Sequence, residues 1–65
     1  MPKERIVEIK EAIAKSDKLS EVEKSQSVQH LEEWISEDKG FGIMFNELVE
    51  LNIVFKEIFT ELGLV

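Results

Sequence analysis

The chain has no cysteine and a single histidine, His30. Without thiols it can form neither a disulfide framework nor a thiolate metal centre. One imidazole excludes a multi-histidine site within one copy. A di-iron bundle needs Glu-x-x-His on paired helices, and the residue three before His30 is Ser27. Glycine and proline are scarce, with three and one, and no Gly-rich phosphate loop is present, because Gly40 and Gly42 lack a following Lys-Ser/Thr. Basic residues are also few, eight against fourteen acids, for a net charge of -6. Nucleic acid and anionic membrane surfaces would be repelled by that balance. No apolar run approaches the roughly 18 residues of a membrane span, and the charged N-terminus, MPKERIVEIKEA, lacks the apolar core of a signal peptide. These features lead us to expect a cytoplasmic protein with neither nucleic-acid nor membrane partners.

What remains is apolar and helical. Hydrophobic residues make up 43% of the 65 positions, enough for one ordered domain spanning 1–65. A chain this short buries only about 60% of the surface its unfolded form exposes. With disulfides and thiolate metals excluded, close packing or a partner chain must supply stability. No stretch alternates as a strand would, and helical spacing recurs three times.

The first helix is expected over 2–15. Pro2 suits its first turn, and Ile6, Ile9 and Ile13 form a stripe flanked by Val7, Ala12 and Ala14. Glu11 and Lys15 are spaced for an i,i+4 pair. SDKLS then reads as a turn. Ser20 with Glu23 matches a capping box, so the second helix is expected over 20–38, with a stripe of Val28, Leu31 and Ile35 and with Trp34 beside it. Gly40 is the expected C-cap. The third helix is expected over 42–62, ended by Gly63. The result is an all-α, three-helix antiparallel bundle: a helical hairpin plus a long apolar C-terminal helix.

That last helix carries more apolar surface than two short companions can cover. Met44, Leu48, Leu51, Phe55, Ile58 and Leu62 fall on one heptad-like line. Phe45, Val49, Ile53 and Phe59 form a second group to one side, where a surface helix needs an apolar arc only a little over ~100° wide. Left exposed, such a group would be of the size that marks an interaction site. We therefore expect a homo-oligomer, most simply a two-fold dimer, with Phe45, Val49, Asn52, Ile53, Phe59 and Trp34 at its interface. Asn52, at the edge of the arc, either fixes register or faces water at a rim. Trp34 is either a core anchor or an interface hot spot.

Candidates for chemistry are sparse. His30 and Glu33, at i,i+3, could make a weak two-ligand surface site, but a solvent-facing histidine is the simpler reading. Glu47, Glu50, Glu57 and Glu61 share one face of the expected helix and serve to keep it wet. No serine has a base beside it in sequence. No catalytic residue, cofactor site or metal centre is assigned. The expected function is a small non-catalytic protein–protein interaction module that self-associates through its C-terminal helix. The alternative is an acidic inhibitor, antitoxin or chaperone-like protein that masks a basic or apolar partner protein.

The charge is also uneven. Residues 1–18 hold Lys3, Arg5, Lys10, Lys15 and Lys18 against Glu4, Glu8, Glu11 and Asp17, whereas 19–65 hold three lysines against ten acids. The first segment is either the natural electrostatic neighbour of the rest, within one chain or between two, or, more simply, a set of ordinary solvated helix faces.

Overall fold

The computed structural model describes residues 2–65. A 3-10 turn at Pro2–Arg5 leads into α1 (Ile6–Lys15). Three more helices follow: α2 (Glu21–Ser36), α3 (Phe41–Leu51) and α4 (Val54–Glu61). Each helix packs on the next, and α4 closes the circuit against α1. The described residues form helices joined by short turns, without strands.

The bundle has four helices and not three, because the expected run over 42–62 breaks at Asn52. Asn52 adopts an extended backbone (φ -164°, ψ 131°) at the end of α3. Its side-chain Oδ1 accepts from the Val54 N–H at 2.9 Å, which caps the first turn of α4. Its Nδ2 donates to Glu23 Oε2 at 3.2 Å. Glu23 is itself the acceptor half of the capping box: its Oε1 takes the Ser20 N–H at 2.9 Å, while its own N–H donates to Ser20 Oγ at 3.1 Å. The carboxylate that starts α2 therefore also anchors the corner between α3 and α4. Helical spacing alone carries no sign of this, since an asparagine costs an exposed helix little.

Phe59 shows what the break achieves. In a continuous helix, Phe45 and Phe59 would stand about 21 Å apart along the axis, at ~1.5 Å per residue. Their ring centroids are 5.3 Å apart. Phe59 also lies 5.8 Å from Phe41, which meets Trp34 edge-on at 5.7 Å and stacks on Phe45 at 6.0 Å. Folding α4 back thus turns part of the second apolar group into core. The heptad-like line stays inward across the corner: Met44, Leu48, Phe55 and Ile58 are buried, and Leu51 and Leu62 pack against them. Ile9 and Ile13 from α1, Leu19 and Leu31 complete the core.

Two further features depart from expectation. α2 buries Ser27, Leu31 and Trp34, leaving Ile35 exposed; the indole occupies the centre and rotates the helix away from the Val28–Leu31–Ile35 line. Ser27 is tolerated there because its Oγ donates to the Lys24 carbonyl at 2.7 Å. The left-handed residue after α2 is Asp38 (φ 54°), not Gly40, which instead precedes α3 in an extended conformation. A short polar side chain tolerates that region, and Lys3 Nζ holds Asp38 Oδ1 at 2.6 Å. At the other end Gly63 (φ 77°) behaves as expected, as the residue after the α4 C-cap. Leu64 N–H reaches the Phe59 carbonyl at 2.9 Å and Gly63 N–H reaches Thr60 at 3.0 Å, the paired bonds of a Schellman motif.

The uneven charge is resolved within the chain. Lys3, Lys10 and Lys18 of the first segment face Asp38, Glu32 and Glu57 of the later helices. Such surface pairs orient more than they stabilise.

Replacing Asn52 by Ala removes both side-chain bonds at the corner. The expected cost is that of a lost cap, about 1 kcal/mol, read as a drop in thermal midpoint of roughly 4–8 °C for a domain this small. An unchanged midpoint would show that backbone and packing alone hold the corner. Acid acts on the same place. The Ser20 backbone N–H, helped by Asn52, holds the Glu23 carboxyl below its ordinary value of 4.5. A depressed carboxylate stabilises the fold above its unfolded value and loses that contribution as pH falls through the folded one. Thermal melts between pH 6 and pH 3 should therefore fall less steeply in Glu23→Gln than in the parent chain.

Candidate functional site

Four charged or ionisable side chains gather where α2 meets α3. His30 and Glu33 lie one turn apart on α2, Lys39 comes from the connecting turn and Glu47 from α3. His30 and Glu47 are equidistant from the Asp38–Lys39 turn, so folding α3 back on α2 sets them opposite one another. His30 Nδ1 is 3.4 Å from Glu47 Oε1 and 3.6 Å from Glu33 Oε1. Lys39 Nζ lies 3.3 Å from Glu33 Oε1 and 3.5 Å from Glu47 Oε2. His30 and Glu47 each keep 29% of their side-chain surface, so the expected solvent-facing histidine is in fact half-buried at a helix seam. Its position follows from Trp34, four residues on and fully buried, which draws that side of α2 towards the core.

The electrostatics are those of two acids sharing one ammonium. Hydrogen bonding to Glu33, reinforced by the charges of Glu47 and Glu33, raises the Lys39 pKa above 10.5, so Lys39 stays charged across the physiological range. Two atoms of the cluster are left over. His30 Nδ1 and Glu47 Oε1 are shielded from solvent, and neither has a hydrogen-bond partner. One donor atom from each of His30, Glu33 and Glu47 lies within 4.8 Å of the other two. An imidazole between two carboxylates can exchange a proton or hold a cation. The ≈ 300 Å³ groove between the end of α1 and α4, lined by residues such as Lys15, Lys18, Glu57 and Glu61, is built from none of these residues.

The cluster also scatters the acids expected to share one face. Glu47 turns inward against α2, Glu57 meets Lys18, and Glu50 and Glu61 stay in solvent. Glu33 was visible from its spacing to His30. Glu47 and Lys39 were not, although their distances from the Gly40 region would have found them once α2 and α3 were folded as a hairpin.

The residues expected at an interface separate into three environments. Trp34 and Phe59 are fully buried within their own chain. Phe45, Val49 and Asn52 are half-buried, the first in the aromatic cluster and the last at the helix break. Ile53, at the corner, is 64% exposed. On α3 itself, Gly42, Asn46 and Val49 lie within roughly 60° of each other at ~100° per residue, with exposed Ile43 to one side and Phe45 to the other. No family model, curated protein or solved structure matches this chain, and no helix among the described residues is long and apolar enough to cross a membrane.

Removing the shared ammonium should expose the repulsion between the acids. Lys39→Met is expected to lower the thermal midpoint at pH 7 and to approach the parent as the pH rises through the raised Lys39 value. In the parent, the Lys39 contribution is present below 10.5 and is lost as pH rises through its raised folded value. A midpoint difference that does not vary with pH would assign Lys39 a packing role instead.

Proposed function

We propose that this chain is a small non-catalytic interaction module that self-associates through the outer face of α3 and the corner at Ile53. The observation that carries this reading is the fate of Glu47. Of the residues Phe41–Leu51, only Glu47 and Glu50 are charged, and Glu47 is drawn inward to His30 and Lys39. The centre of the outer strip, Gly42, Asn46 and Val49, is left uncharged, with Glu50 as the one charge at its Ile43 edge. Ile53 extends it past the break. Charge depletion at the centre of a patch is what distinguishes an interface core from ordinary surface. A second copy presents the same strip, so a two-fold contact needs no other partner.

Trp34 and Phe59 back this face from inside and do not touch the second copy. Their removal from the contact leaves a small patch, and small interfaces belong to weak or transient association. A second reading is favoured by charge. Lys3, Arg5, Lys10, Lys18 and Lys39 each stand against a carboxylate, so the surplus of acids faces outward and suits masking of a basic protein.

Sedimentation across a range of concentrations tests the first reading. The parent chain should shift from monomer to dimer as concentration rises, and Ile53→Glu should remain monomeric while keeping its helical circular dichroism. A parent chain that is monomeric throughout overturns the reading. Salt-sensitive capture of a cationic protein, unchanged in Ile53→Glu, would then support masking.

A further inference from the structure

We propose that His30, Glu33 and Glu47 form a binding site for a divalent transition-metal ion of the zinc class, in competition with the Lys39 ammonium. The spacing fits. Zinc holds nitrogen and carboxylate oxygen at about 2.0–2.2 Å in a tetrahedron, whose edges are then roughly 3.3–3.6 Å. His30 Nδ1 stands 3.4 Å from Glu47 Oε1 and 3.6 Å from Glu33 Oε1. Two edges of the tetrahedron are thus already at the right length, and the third, between Glu33 and Glu47, is within 4.8 Å. Two helices already in contact supply them, so the backbone order is in place before any ion arrives.

An independent observation comes from satisfaction of polar groups. His30 Nδ1 and Glu47 Oε1 are shielded from solvent and face each other without a hydrogen bond. Shielded polar atoms almost always have partners, and a shared cation would complete both at once. Glu33 Oε1 is the contested atom, since it lies near both His30 Nδ1 and Lys39 Nζ. Lys39 can stay on Glu47 Oε2 at 3.5 Å while the ion takes the opposite oxygen. The imidazole selects against magnesium and calcium, which prefer all-oxygen sites. Three protein ligands leave a fourth position for water, and the exposure of Glu33, 44% of its side chain, gives a path to it.

Calorimetric titration of Zn²⁺ and Co²⁺ into the untagged chain tests the site. We expect one equivalent per chain, with the His30 imidazole resonances, the only ones in the protein, shifting in step. His30→Gln and Glu47→Gln should each weaken binding by at least about 10-fold, at the lower end of what loss of a supporting group costs. Lys39→Met should tighten it several-fold. Equal affinity in the parent and His30→Gln, equal binding of Mg²⁺, or no heat and no His30 shift at millimolar metal would overturn the proposal. If a variant fails to fold, the His30 resonances of the parent chain decide alone: shifted by Zn²⁺ they support the site, unmoved they remove it.

Discussion

The bond between Asn52 and Glu23 links two helix starts that are 29 residues apart in sequence. An asparagine that leaves the helical conformation forfeits backbone bonds, and its side chain returns one of them by capping Val54. The other half of the amide needs an acceptor, and the capping box of α2 supplies it. Each element is ordinary alone. Together they make the cap of the corner share its acceptor with the start of α2. Loss of a cap typically costs about 1 kcal/mol, a sizeable part of the stability expected for a chain of this length.

The corner decides where the aromatic mass goes. A straight helix would carry Phe59 far from Phe45. The fold-back closes Trp34, Phe41, Phe45 and Phe59 into one cluster and brings α4 against α1. The accessible surface is 4018 Å², against about 4,250 Å² for a free-standing monomer of this mass. The chain is therefore about as compact as a monomer of its size, while Ile43 and Ile53 stay exposed. The Trp34 indole N–H is buried without an acceptor, at a cost of about 1–3 kcal/mol, and nothing in the structure explains it. The ring's position at the centre of the cluster shows which requirement prevailed.

Periodicity located the helices and the inward line because both are set by spacing along one chain. Met44, Leu48, Phe55 and Ile58 are core in a straight helix and in a broken one, so the line was legible whatever the corner did. The capping box at Ser20 and the Gly63 terminus were legible for a similar reason, since each is completed by groups a few residues away. The break was not, because it needs Glu23, and no local signal joins positions 23 and 52. The exposure of Ile35 and the burial of Trp34 likewise turn on how one large ring seats among three phenylalanines. The left-handed Asp38 escaped notice because Gly40, two residues later, offers the easier chemistry. At the charged cluster, His30 and Glu33 share a helix and could be paired by counting. Glu47 required the hairpin.

Glu47 connects the two faces of α3. Pointing inward, it supplies a carboxylate to His30 and Lys39 and at the same time removes a charge from the outer strip. Pointing outward, it would leave His30 with one acid and place a second charge beside Glu50 on the proposed contact surface. The inner arrangement and the outer one are therefore a single conformational choice. A cation that strengthened the inner cluster would also keep Glu47 off the outer strip, because a carboxylate engaged by His30, Lys39 or a metal cannot swing to solvent without giving up that partner. Repulsion between Glu33 and Glu47 pushes in the opposite sense, and the ammonium of Lys39 offsets it. Were an ion to bind the cluster and a second copy the α3 surface, Glu47 would link the two, each biasing the other by the same free energy.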